Sequence, residues 1–173
     1  METPAPILEP RFPQVGEVAP DFALRDADGA VHRLADRRGS YTVVYFYPAD
    51  DTPGCTIEAC GFRDANEDIA AGGTTIWGIS PQGAASKAAF RAKYGLSFPL
   101  LADEDHAVAE AYGSWVQRER HGQTSMGIAR RTFLVGPDLT IVHVWEKVQP
   151  EGHAADVLAT VRAAEERHSA RPA

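Results

Sequence analysis

Cys55 and Cys60 are the two thiols of this 173-residue chain, and both fall within YFYPADDTPGCTIEACGFRD, residues 45–64. A thiol attacks as its thiolate, which is favoured at a helix amino end, where free backbone N–H groups and the helix dipole welcome negative charge. Cys55 meets that condition by sequence: an apolar strand pattern stops at Pro48, an acidic turn carries Asp50, Asp51 and Pro53, and a helical pattern follows from Thr56. Gly54 lets the backbone come close, so that amide N–H groups can point at whatever binds above the sulfur. Thr52, three residues earlier, offers a hydroxyl to the sulfur or to a substrate oxygen. The competing reading is a small buried cysteine without reactivity, the usual fate of a free thiol. The polar flank of Asp50, Asp51, Thr52 and Glu58, where a strand's carboxyl end meets a helix, argues for a redox-active nucleophile instead.

Cys60 lies five residues further on. Five steps of an unbroken α-helix give about 7.5 Å of rise and about 140° of rotation, which sets the Cα atoms about 8.6 Å apart. Disulfides need Cα atoms within roughly 7 Å, so the pair can join only if the helix unwinds locally. A core-packed, inert Cys60 is the alternative. The C-x4-C spacing is not that of a C-x-x-C dithiol, and the six histidines are scattered without ligand spacing, so no metal or cofactor is expected. A cysteine hydrolase would need a partner base, and nothing local identifies one.

The elements that must position these residues follow from periodicity. Tyr41 to Tyr47 is β-branched and aromatic without strict alternation, the pattern of a strand buried on both faces. A helix is expected over 56–71, ended by Gly72-Gly73, then a strand over 74–80 and a helix over 84–94 ended by Gly95. A short helix over 103–112 follows. Strands 131–135 and 140–145 flank Gly136-Pro137-Asp138 as a hairpin, and an amphipathic helix over 153–168 closes the chain. Before all of these, Asp26-Ala27-Asp28-Gly29 turns a hairpin between residues 22–24 and 31–34. Parallel strands joined by crossovers, then an antiparallel pair, imply an α/β fold of thioredoxin-like type: a mixed central sheet, helices on both faces and an N-terminal hairpin extension.

Composition bounds the rest. The length suits one domain, expected over residues 14–168, preceded by a proline-rich arm over 1–13 and followed by a tail over 169–173. The chain is 44% hydrophobic and 24% charged, with no apolar run long enough to cross a membrane. Its formal charge of −7, without a Lys/Arg cluster, argues against nucleic acid as a partner. The amino terminus has neither the basic nor the apolar region of a secretion signal, which points to the cytoplasm.

At the active-site segment the sequence resembles the peroxiredoxins, thiol peroxidases of thioredoxin fold. The pattern P-x3-T-x2-C occurs as Pro48, Thr52 and Cys55. TPGCTIEACGFRD, GISP at 78–81, KYGLSFPLLAD at 93–103 and MGIARRTFLV at 126–135 resemble most closely the bacterioferritin-comigratory, or Q-type, group. The resemblance covers roughly residues 14–165. It implies Cys55 as the peroxidatic cysteine, Cys60 as its resolving partner, and Arg130 as the catalytic arginine, counted back from Phe133 in R-x-x-F. Arg131 is the weaker candidate, because neighbouring strand residues face opposite ways. Thr52, Gly54 and Arg130 are expected around the peroxide, with Pro48 shielding the thiolate from water. His121 falls where relatives often carry an aromatic residue.

The activity implied is reduction of hydrogen peroxide and organic hydroperoxides through a Cys55 sulfenic acid. Cys60 would convert it to an intramolecular disulfide, and thioredoxin or a similar dithiol would reduce that. The resemblance favours a monomer over a dimer. A peroxide-sensing switch or thiol-dependent interaction protein with little turnover is the functional alternative.

Overall fold

β-branched and aromatic side chains from Thr42 to Phe46 form β3, every residue of it buried. In the computed structural model, which describes residues 10–170, this strand lies inside a seven-stranded mixed sheet. Residues 1–9 of the expected arm and 171–173 of the expected tail lie outside the described residues. The preceding strands β1 (Ala23–Arg25) and β2 (Val31–Arg33) make the expected hairpin. It is not a separate appendage, because Arg25 of β1 pairs with Ala102 of β5 (Leu100–Ala102) and so extends the main sheet.

The remaining strands of the sheet are β4 (Thr75–Ser80), β8 (Arg131–Val135) and β9 (Ile141–Trp145), in the order β2-β1-β5-β4-β3-β8-β9. β3 runs parallel to β4 and antiparallel to β8. Alternation along β3 divides the core. Val43, Tyr45 and Tyr47 pack with Phe62, Phe90, Val157 and Val161 on one face. Val44 and Phe46 pack with Trp77, Tyr112 and Phe133 on the other. The first face is covered by α1 (Pro53–Ala70), α2 (Ala84–Tyr94) and α4 (His153–Ser169), and the second by α3 (Ala107–Ala111).

Several expected boundaries shift. α1 begins three residues before Thr56, because proline at the first helical position loses no bond that the helix could have made. α3 is shorter than 103–112: Asp103 stays outside and its carboxylate accepts the N–H groups of Val108 and Ala109 at 3.2 and 2.9 Å. β5 was absent from the expected order, since three residues are too few to show a period. So was the two-stranded pair β6 (Trp115–Arg120) and β7 (Gln123–Ile128). Its strands are mostly polar and exposed on both sides, which hides them from any hydrophobic pattern. His121-Gly122 makes its two-residue turn with φ of 52° and 76°, the geometry of a type I′ hairpin. Trp115 is half-buried and stacks on the His106 ring at 3.9 Å between centroids.

Candidate active site

The amino end of α1 is an open helix mouth with Cys55 inside it. Thr52 is the N-cap, in extended conformation, and Thr56 N–H donates to its carbonyl at 2.8 Å as the first bond of the helix. The N–H groups of Gly54 and Cys55 therefore lack helical carbonyl partners and are directed out of the helix end. Cys55 is 1% exposed, its side chain in the core with Tyr45 and Phe62. The Thr52 hydroxyl donates to the Ala49 carbonyl at 3.2 Å, which orients its oxygen and leaves that oxygen able to accept.

Arg130 reaches this mouth because β8 pairs with β3. Arg131 stands opposite Phe46, so the residue before it lies beyond the end of β3, beside the Pro48–Thr52 turn. The Arg130 guanidinium packs so closely on Gly54 that a Cβ there would stand 2.7 Å from Nη2. No other residue type fits under it without displacing the arginine. Nη1 donates to Glu58 Oε1 at 3.3 Å, one helical turn beyond Cys55. Burial pushes the Glu58 carboxyl up to about 7, against the opposing pull of Arg130. Arg131 turns the other way: its guanidinium donates to the Gly113 carbonyl and lies 4.7 Å over the Phe12 ring. Pro48, Arg130, Arg118, Arg120 and Lys147 line a cavity of about 390 Å³ outside the mouth.

Cys60 occupies the same helix in different surroundings. It is half-buried and borders a largely apolar groove with Ile57, Pro150, Ala154 and Leu158, between α1 and α4. Gly61 is there for packing: a Cβ would come within 3.2 Å of the Ala154 Cβ. Both cysteines are free thiols.

With a thiol at a helix mouth, an arginine on the adjacent glycine and a second thiol down the helix in place, comparison with known proteins gives the family. The family described as AhpC/TSA matches residues 15–144. The chain belongs to this family. It is 43% identical over 145 residues to a protein of Coxiella burnetii named putative peroxiredoxin bcp, covering 84% of this chain and 96% of that one. Peroxiredoxin Bcp of Bacillus subtilis is 40% identical over 149 residues, with 86% and 95% covered. Among solved structures, the bacterioferritin comigratory protein of Xanthomonas campestris, described in connection with alkyl peroxide reduction, superposes with a TM-score of 0.80 at 35% identity, covering 83% of this chain and 92% of that one. A cysteine variant of Xylella fastidiosa PrxQ gives 0.84 at 30% identity, with 89% and 98% covered.

This peroxiredoxin is thus a thiol-dependent peroxidase with a thioredoxin-like fold, of the bacterioferritin-comigratory, Q-type group. Among its described residues no helix is long and apolar enough to cross a membrane. No group of three or more His, Cys, Asp or Glu among them could hold a metal ion.

The structure also brings to the site residues that sequence reasoning left out. Glu58 was noted there only as part of a polar flank, although its position three residues after Cys55 on a helix was a sufficient signal. Asp50, likewise noted only in that flank, is gripped by Ser80 at the end of β4, by Gln82 in the loop that follows, and by Ser86 and Lys87 of α2, which together hold the turn before Cys55. No spacing in the chain announces that grouping. His121 lies at the exposed tip of the β6–β7 turn.

Proposed function

We propose that Cys55 is the peroxidatic thiol of this enzyme and that Arg130, Thr52 and the Gly54 and Cys55 amides hold the hydroperoxide over it. The observation that carries this is the guanidinium of Arg130 packed directly on Gly54 at the open end of α1, tethered there by buried Glu58. The thiolate attacks one peroxide oxygen; an S–O bond forms as the O–O bond breaks, and the departing oxygen leaves as alcohol or water after taking a proton. Charge builds on that oxygen in the transition state, where preorganised donors contribute most. Pro48, at the rim, restricts water. The substrate class is hydrogen peroxide and organic hydroperoxides, in keeping with the alkyl peroxide reduction described for the Xanthomonas relative.

The product is a Cys55 sulfenic acid. In the second step Cys60 attacks the Cys55 sulfur, water leaves and an intramolecular disulfide forms, which requires the first turns of α1 to unwind because both residues lie in one helix. A dithiol such as thioredoxin then supplies two electrons and restores both thiols. A single domain over residues 14–168 carries this chemistry, as a cytoplasmic monomer. The test is steady-state consumption of hydrogen peroxide and of an alkyl hydroperoxide with a thioredoxin system. Sustained turnover that disappears in Cys55→Ser is expected. One stoichiometric oxidation without turnover would mark a peroxide sensor instead.

A further inference from the structure

The Pro48–Thr52 turn delivers Cys55, and α2 and the end of β4 hold it. Lys87 of α2 is fully buried, and its ammonium donates to Ser80 Oγ, to the Tyr47 hydroxyl at 3.2 Å and to the Asp50 carboxylate at 3.4 Å. The Asp50 side chain is itself 2% exposed and also accepts from Tyr47 at 2.6 Å and Ser86 at 2.8 Å. The Gln82 side chain completes the grip: its carbonyl oxygen accepts from the Asp50 N–H at 3.2 Å and from Ser80 Oγ at 2.7 Å, and its amide donates to the Pro48 carbonyl at 3.1 Å. On the outer side Asp51, with φ of 58°, is held by Lys93 at 2.7 Å and by Tyr94 at 2.6 Å, again from α2.

Burying an ammonium and a carboxylate costs several kcal/mol for each ion, which mutual attraction offsets only where the geometry and the remaining hydrogen bonds are satisfied. Such an arrangement is weak evidence for stability and better evidence for a fixed geometry. Burial lowers Lys87 to about 8, with Asp50 opposing the shift, so the ammonium stays charged at neutral pH. The next side chain after Thr52 with a polar partner is Glu58, on Arg130. The anchors thus lie before the helix mouth, and the stretch that must open lies after it.

We propose that Lys87 and Asp50 are positioning residues for the peroxidase reaction. They form a buried latch that pins the Pro48–Thr52 turn to α2, so that attack occurs at a fixed helix mouth and the unwinding that joins Cys55 to Cys60 begins beyond Thr52. This rests on the reading of Cys55 as the attacking thiol. Removing the ammonium alone leaves Asp50 buried without its counter-charge and displaces the turn; removing both charges leaves an amide that the three hydroxyls can still bond.

The experiment is rapid-mixing oxidation of the reduced protein by hydrogen peroxide, followed by tryptophan fluorescence, with disulfide formation scored by quenching and mass spectrometry. Lys87→Met is expected to slow attack at least fivefold per folded molecule without slowing disulfide formation, and Lys87→Met/Asp50→Asn to recover most of that loss. A purely structural pair would lower thermal stability and leave the rate constant of the folded protein alone. A fall of less than fivefold in Lys87→Met, or a double variant no faster than the single one, overturns the latch. Should Lys87→Met fail to fold, Gln82→Ala removes an anchor without stranding a charge; at least a twofold slower attack is expected, and a smaller effect overturns the proposal. Cys55→Ser serves as the control: oxidation persisting there sinks the assignment of the thiol, not the latch.

Discussion

Cys60 follows Cys55 by five positions along one helix, and the two ends of that interval are built differently. Around Cys55 the structure is polar and fixed: Arg130 on Gly54, Glu58 beneath it, and the preceding turn tied to α2. Around Cys60 it is apolar and half open, with Pro150, Ala154 and Leu158 across a groove and Gly61 against Ala154. Hydrogen bonds and buried charge specify a geometry, whereas short apolar contacts at a surface part at modest cost. On the mechanism proposed above, attack belongs to the rigid end of the interval and opening to the loose one.

The largest effect that would break this contrast is exchange of the cysteines' roles. Cys55→Ser should abolish peroxidase turnover, with activity under a thousandth of the wild type. Cys60→Ser should keep the first oxidation and lose the intramolecular disulfide in non-reducing mass spectrometry. If the disulfide-linked mass never forms in oxidised wild type, resolution within the chain is wrong.

Next in size are the adjacent arginines. Arg130→Ala should slow peroxide attack about 100-fold, the scale set by removal of one preorganised charge donor. Arg131→Ala should instead cost stability, on the order of 2 kcal/mol in a denaturant titration, by removing a buried guanidinium that bonds Gly113 and covers Phe12. The reverse ranking would refute the register of β8 against β3.

Acid stability sharpens the same contrast, because both regions hold a buried titratable group. Glu58 is raised to about 7, so the folded state binds the extra proton and stability falls as pH rises from about 4.5 through 7, by about 3 kcal/mol. His153 is lowered to about 4 by burial; its Nε2 lies 2.8 Å from the Thr132 hydroxyl. Its contribution has the opposite sign: stability is present above about 6.5 and is lost as pH falls towards 4, again by about 3 kcal/mol. The two windows nearly cancel in the wild type. Glu58→Gln should therefore unmask a steeper loss of stability below pH 6.5 in urea titrations, and an unchanged slope would contradict the burial assigned to Glu58.

The smallest expected effect is at Gly61. Alanine there gains up to about 1 kcal/mol of helix propensity against a 3.2 Å contact with Ala154, so net stability should change by less than about 1 kcal/mol. Disulfide formation should slow a few-fold, since a stiffer helix resists unwinding. Faster formation would show that the α1–α4 contact, rather than the helix itself, holds the segment closed.

Much of this was legible along the chain because it is local. The buried strand before Pro48, the helix after it, Gly95 as a left-handed terminator and the Gly136-Pro137-Asp138 hairpin all follow from side-chain type and period. Strands β5, β6 and β7 escaped for opposite reasons, one being too short to show a period and two too polar to show a buried face.

The sequence by itself determined the order of the longer elements around the site, the thiol at a helix amino end, and the spacing that keeps Cys55 from Cys60 while the helix is intact. These depend on backbone sterics and on the 3.6-residue turn, which neighbours in the chain set. The family resemblance pointed to Arg130 over Arg131, but only tertiary structure set Arg130 on Gly54, because that follows from pairing two strands 85 residues apart, Phe46 with Arg131. It alone also decided that Asp50 meets Lys87, since a buried charge finds its partner through three-dimensional packing and not through spacing.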